Sequence, residues 1–264
     1  MNNILFIFIQ IYTATIIYVS FVWLISLYLK NSGIMNIFWG IGFIYIFLLS
    51  QFLMPNNVLL SLNNIILTLL ILIWGLRLSI YLYIRSVDKE ENIYYHDQRI
   101  QYGKKWWWYS YFKIFLIRGS LMFIVSTPLI IGAKTNVIIS KPIFLFGITI
   151  WTLGFIFEAL ADYQLYQFKL NVINFDKICK EGLWNLCRHP NYFGNALVWW
   201  GFFFITYQKP YAMLIISPIL MTFLLVKVSG VKLLDDTLLK KKPGYQDYID
   251  THSAFIPNVF KLFI

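Results

Sequence analysis

Apolar runs about as long as a bilayer is thick recur along this 264-residue chain. They fall at roughly 4–29, 34–54, 58–82, 112–133, 142–160, 191–207 and 211–228. An α-helix rises about 1.5 Å per residue, so some 20 apolar residues cross about 30 Å of hydrocarbon. In lipid, backbone N–H and C=O groups must bond within their own segment, which makes these runs helices. The pattern predicts an all-α fold: a polytopic transmembrane helical bundle of about seven spanning helices, in a single integral membrane domain over residues 1–264. Charged residues make up 13% of the chain and hydrophobic residues 59%. Soluble proteins carry about 25% charged residues. This balance excludes a soluble enzyme, a soluble Rossmann domain, a disordered chain and a fibre. The turn Pro55-Asn56-Asn57 pairs the second and third runs as an antiparallel hairpin. The sixth run opens at Pro190 and is short, as a re-entrant or tilted helix would be.

The net charge of +10 sorts by side. Lys30, the 77–113 region, the 169–188 segment and the C-terminal tail collect the basic residues on one side. Only Lys134, Lys141 and Lys209 lie on the other. Positive residues mark the cytosolic face, so the N-terminus is expected outside and the C-terminus cytosolic. Polar stretches at 85–110, 161–190 and 229–258 then open to the cytosol. No basic soluble module is present, so nucleic acid is not an expected partner. Cys179 and Cys187 fall in a reducing compartment, where a disulfide is not expected. Residues 4–29 are too long for the apolar region of a cleavable signal peptide and lack its basic start and small-residue cleavage site. Trp106, Trp107 and Trp108 beside Lys104 and Lys105 suit an interfacial anchor. The chain is expected in the inner (plasma) membrane if bacterial and the endoplasmic reticulum if eukaryotic, with membrane lipids as neighbours.

Chemistry concentrates in three places. Glu158, Asp162, Tyr166 and Lys169 are spaced 4, 4 and 3, which puts them on one helical face. A charge facing mid-bilayer lipid costs about 2.5–3.5 kcal/mol on insertion scales, so this face looks inward. It forms either a polar wall for a ligand or an internal ion-pair network of Asp162 with Lys169 or Arg188. Next come Arg188, His189, Pro190, Asn191, Tyr192, Phe193, Gly194 and Asn195. Proline suits the first turn of a helix. A helix N-terminus beside two basic residues suits an anion, and Asn191 and Asn195, one turn apart, suit amide contacts. A plain helix cap with a snorkelling arginine explains the same residues. In the tail, most of the charges of Lys232, Asp235, Asp236, Lys240, Lys241 and Lys242 are expected to face water or headgroups. Tyr245 and Tyr248 either join them or contact a nucleotide. His96, His189 and His252 have no metal-ligand spacing, so no metal site is expected.

These residues carry a resemblance to the DUF1295 family of membrane proteins, related to steroid 5-alpha-reductases and more distantly to sterol C14 reductases and isoprenylcysteine carboxyl methyltransferases. The resembling residues are Trp74-Gly75-Leu76-Arg77, Phe157-Glu158, Ala161-Asp162 with Gln164 to Lys169, Gly182-Leu183-Trp184, Arg188 to Gly194, Trp199-Trp200-Gly201, Ser217-Pro218, Ser229-Gly230 and Phe255-Ile256-Pro257. They span most of residues 70–257. The arginine-histidine-proline-asparagine-tyrosine block is specific to the superfamily but does not separate reductases from methyltransferases; the preceding aspartate-to-lysine helix resembles the reductases. The resemblance implies an NADPH-dependent reductase that transfers hydride to the C=C bond of a lipophilic enone, steroid-like or fatty. It implies cofactor contacts from Glu158, Asp162, Tyr166, Lys169, Arg188, His189, Asn191, Tyr192, Asn195, Tyr245 and Tyr248. Tyr81 and Tyr83 are the candidate donors to the substrate carbonyl.

The chain departs from that family at several positions. Asn195 and Asn36 stand where acidic residues are common, and Asn92 replaces an acid in the Glu91–Tyr95 loop, which retains Arg99. Arg118 stands where an uncharged polar residue is usual. An S-adenosylmethionine-dependent methyltransferase and a non-catalytic lipid-binding protein are the alternatives. The sequence leaves open the substrate, the oligomeric state and whether catalysis is retained.

Overall fold

A computed structural model of the chain describes residues 2–53, 62–87, 91–134, 141–228 and 230–258. Among these, the regular structure is helical throughout. The expected turn at Pro55-Asn56-Asn57, and Ser229, lie outside the described residues. The helices fall into two compact units, Met1–Val137 and Ile138–Ile264. The first holds α1 (Asn2–Tyr28), α2 (Ile34–Leu53), α3 (Leu62–Ser86), α4 (Ile93–Tyr102), α5 (Trp106–Ser110), α6 (Ile117–Val125) and α7 (Thr127–Lys134). The second holds α8 (Lys141–Leu170), α9 (Leu183–Leu186), α10 (Pro190–Ile205), α11 (Ile216–Phe223), α12 (Val231–Lys241) and α13 (Tyr245–Thr251).

Among the described residues six stretches are long and apolar enough to cross a bilayer: Ile4–Tyr28, Ile34–Leu53, Leu62–Ser86, Ile93–Val125, Pro142–Leu170 and Lys209–Val228. The chain is a polytopic membrane protein. The remaining expected span is α10, which has 16 residues. It is therefore about 24 Å long, short of the hydrocarbon thickness.

In the first unit α2 is the hub, packed against α1, α3, α6 and α7. Phe43, Phe47, Trp74 and Ile71 are fully buried there. A Cβ on Gly75 would stand 2.9 Å from the Gly40 carbonyl oxygen, so glycine lets α2 and α3 touch backbone to backbone. The fourth span differs from the run expected at 112–133. It opens earlier, passes through a π-helical turn at Tyr111–Leu116 and breaks at Ser126, just before Pro128. The Tyr95 hydroxyl contacts Arg118, 23 residues on. A straight helix would hold them roughly 35 Å apart. The chain instead turns at Gly103, whose φ of 47° favours glycine, and α4 folds back beside its successors.

In the second unit α8 and α10 run antiparallel, and glycines spaced by seven set their approach. A Cβ on Gly147 would come 2.6 Å from the Ile205 nitrogen, one on Gly154 2.6 Å from that of Val198, one on Gly194 2.6 Å from the Gly154 oxygen, and one on Gly201 2.5 Å from the Trp151 Cβ. Small residues at such seams let backbones close in where no hydrophobic drive separates helix from lipid.

Candidate functional site

The glycine seam fixes what faces what at the Glu158 end of α8. One turn beyond Gly154, Glu158 lies opposite Asn195; one further turn on, Asp162 lies opposite Asn191. Asn195 Nδ2 donates to Glu158 Oε1 at 3.1 Å, and Asn191 Nδ2 donates to Asp162 Oδ1 at 3.1 Å. The result is a two-rung ladder of carboxylate against amide, one helical turn between rungs. Glu158 is 2% exposed, Asp162 3% and Asn195 7%. The amide at 195, where an acid is common in the resembling family, has a physical consequence. It offers the Glu158 carboxylate an N–H donor where a second carboxylate would repel it. The Oδ1 atoms of Asn191 and Asn195 are buried and find no donor among the described residues. A buried acceptor without a partner costs about 1–3 kcal/mol.

Beside the ladder, the segment leading into α10 is clamped. Gly182 has φ 60°, and Gln164 Oε1 on α8 accepts from the Leu183 nitrogen at 3.0 Å. Trp184 Nε1 donates to the Ala161 carbonyl at 3.0 Å. Ala161, Cys179 and Trp184 form a small buried cluster with Leu165, Phe168 and Leu183 around it. His189 occupies the N-cap position of α10 without a capping side-chain bond, Pro190 is its first residue, and Tyr192 stacks on the His189 ring at 5.5 Å.

Arg188 and His189 do not turn to the stripe on α8. Both bind Asp235 on α12. Arg188 Nη2 donates to Asp235 Oδ2 at 2.8 Å, His189 Nε2 lies 2.9 Å from Oδ1, and the Tyr245 hydroxyl donates to Oδ1 at 2.6 Å. Arg188 Nη1 donates to the carbonyls of Ile249 and His252, and its backbone nitrogen to the Ser253 carbonyl. The Tyr248 hydroxyl donates to the Trp184 carbonyl. This knot straps α12, α13 and the residues after them to the loop before α10. Burial alone would raise the Asp235 carboxyl. The hydrogen bonds from His189, Arg188 and Tyr245 outweigh it and hold the group well below the usual carboxylate range. Burial and the Asp235 carboxylate push the Tyr245 phenol far above its ordinary value.

Several expectations change as a result. Arg188 pairs with Asp235, not with Asp162. Most tail charges were expected to face water or headgroups, and Asp235 is an exception, buried at the centre of the knot. Tyr245 and Tyr248 are 2% and 1% exposed, with both hydroxyls engaged inside the tail, so neither presents a ring for stacking on a nucleotide. Tyr166 is half-buried and Lys169 exposed on the last turns of α8. In the first unit, Tyr81 is half-buried with the Arg77 guanidinium 5.6 Å from its ring, and Tyr83 is 59% exposed. Cys179 and Cys187 are buried free thiols. Asp235 is the site residue that sequence reasoning missed. Val231, Asp235 and Leu238 share one face of α12 at spacings of four and three, so an acid on the apolar face was the available signal.

The model of a protein family described as "Protein of unknown function (DUF1295)" matches residues 22–252 of the chain. Neither the curated proteins nor the solved structures gave a match.

Proposed function

Since the chain belongs to the DUF1295 family, whose model covers most of its length, we propose that it is a membrane-embedded reductase of a lipophilic enone that uses NADPH. The observation that carries this proposal is the ladder of α8 and α10. Two carboxylates, with the buried Oδ1 atoms of Asn191 and Asn195 that meet no donor among the described residues, make a site rich in acceptors. Such a site suits ribose hydroxyls and a carboxamide N–H2, which are donors. Glu158, Asp162, Asn191 and Asn195 would hold that half of the cofactor. Tyr192 and Tyr166 flank it in sequence register. The positive end of the α10 dipole, with Lys169, would hold phosphate. Arg188 and His189, bound to Asp235, keep that turn in place and do not contact the cofactor directly; Tyr245 and Tyr248 serve the same strap. NADPH supplies a hydride when bound. Tyr81 and Tyr83 are the phenols proposed to polarise the substrate carbonyl; Tyr→Phe variants would lower kcat and leave NADPH binding unchanged. The proposed setting is the cytosolic face of the inner membrane or endoplasmic reticulum, with a lipid-like substrate drawn from the bilayer.

A second reading has one observation in its favour. Arg188 is committed to Asp235, which leaves the ladder with few cations for a polyanion. S-adenosylmethionine is itself cationic and has no phosphate, so a methyltransferase would suit the same acceptors. Titrating NADPH, NADH and S-adenosylmethionine against the thermal stability of the protein in mild detergent separates the two. A ligand that binds only the folded state stabilises it by RT ln(1 + [L]/Kd). The reductase requires a shift with NADPH that disappears in Asp162→Ala and Asn191→Ala. A shift with S-adenosylmethionine alone replaces it by the methyltransferase, and no shift removes both.

A further inference from the structure

The first unit holds a cation that meets no carboxylate among the described residues. Arg118 lies on α6 within the membrane-spanning stretch Ile93–Val125, and its guanidinium is always protonated. Nη1 donates to Asn36 Oδ1 at 2.6 Å and Nη2 to the Tyr95 hydroxyl at 2.7 Å; the guanidinium also sits 6.0 Å from the Tyr95 ring centre. Both partners are neutral. Among the described residues no carboxylate reaches Arg118. Glu91, a described acid in this corner, is already engaged elsewhere. Arg99 binds both of its oxygens, at 2.9 and 2.8 Å, and the Ser32 nitrogen donates to Oε1 at 2.6 Å.

Three residues from three helices converge here: Asn36 in the first turn of α2, Tyr95 in α4 and Arg118 in α6. The turn at Gly103 brings the last two together. Tyr95 is buried, Arg118 half-buried and Asn36 exposed, so the trio has a fixed base and an open mouth. A guanidinium has five N–H donors, of which these contacts use two. An ionised group in a spanning segment is expensive and is retained where something supplies the opposite charge. Carboxylates and phosphates fit a guanidinium with two parallel bonds. Ile117, beside Arg118 in the chain, is exposed and offers an apolar contact near the guanidinium.

We propose that Arg118, Asn36 and Tyr95 form a binding site for an amphiphile with an oxyanion head, a carboxylate or phosphate carried on an apolar chain. This site is independent of the cofactor reading, because none of its residues belongs to the α8–α10 ladder. The test uses the full chain in a neutral detergent and in nanodiscs. Oleate is the carboxylate probe. Phosphatidylglycerol, compared with phosphatidylcholine, is the headgroup probe. Wild type should show a saturable rise in unfolding temperature with at least one anionic probe. A rise with oleate alone identifies a diffusible carboxylate, and one with phosphatidylglycerol alone identifies a membrane lipid. Arg118→Gln should weaken that binding tenfold or more. Asn36→Asp places a carboxylate against Arg118 from within the protein, so it should stay folded and lose the response. NADPH titration of both variants should match wild type, which keeps this outcome separate from that of the ladder. No rise in wild type, or an unchanged rise in both variants, overturns the site.

Discussion

Asp235→Asn keeps the shape of the side chain at the centre of the tail knot and removes its charge. The wild-type carboxylate takes hydrogen bonds from Arg188, His189 and Tyr245. At 2.8 Å and an effective dielectric of about 20, the Arg188–Asp235 attraction alone is about 6 kcal/mol gross. Desolvation takes back part of that. Measured losses on removing one member of a buried pair are about 3–5 kcal/mol, because the other charge stays behind unmatched. We expect a destabilisation in that range, or a fall in unfolding temperature on the order of 10 °C, read by tryptophan fluorescence during heating in detergent. Trypsin should then cut the lysines of α12 faster. The pH dependence has a fixed sign. The folded Asp235 carboxyl lies below its unfolded value of about 3.9, so its contribution is fully present above that value. It is lost as pH falls towards the folded value. The part of the gap between wild type and variant that comes from the Asp235 carboxyl should therefore be present at neutral pH and narrow only in acid below about pH 4. A variant within about 0.5 kcal/mol of wild type at neutral pH, a range typical of ordinary surface changes, would refute the claim that the knot holds the tail.

Two further outcomes follow from the second unit. Gly194→Ala sets a Cβ 2.6 Å from the Gly154 oxygen, so it should cost about 1–3 kcal/mol or more by overpacking and weaken ligand binding at the ladder; thermal melts with and without NADPH check both. Cys187 is fully buried, and burial pushes its thiol up to about 11. Folded protein at about pH 7.5 should react with a maleimide at Cys187 roughly two orders of magnitude more slowly than a free thiol of ordinary pKa, and denaturation should restore the rate, as mass spectrometry of the labelled peptide would show.

Much of the second unit was legible because its helices obey short-range rules. The spacing of Glu158 and Asp162 gave their shared face, and Pro190 gave the start of α10. What faces that stripe was not legible, since spacing within one helix says nothing about register with another. The register comes from glycines at 147, 154, 194 and 201, which matter only once two helices are laid side by side. The tail misled for a different reason. Lys232 to Lys242 has the composition of a solvated helix, and the buried Asp235 is hidden among five other charges. In the first unit, the fold-back at Gly103 joins Tyr95 to Arg118 through a tertiary contact that no local pattern encodes.

The backbone proximity of α8 and α10 limits how this protein can move. With carbonyl and amide groups of one helix filling the space that side chains would occupy on the other, neither sliding nor rotation is open to them without collision. The pair behaves as one stiff beam, and whatever passes in or out of the ladder must be admitted by something that yields. The Arg188–Asp235 strap, at the residues just before α10, is held by polar bonds and not by interlocked backbones. Breathing that admits a ligand should therefore begin at the tail, and amide exchange would register it there first.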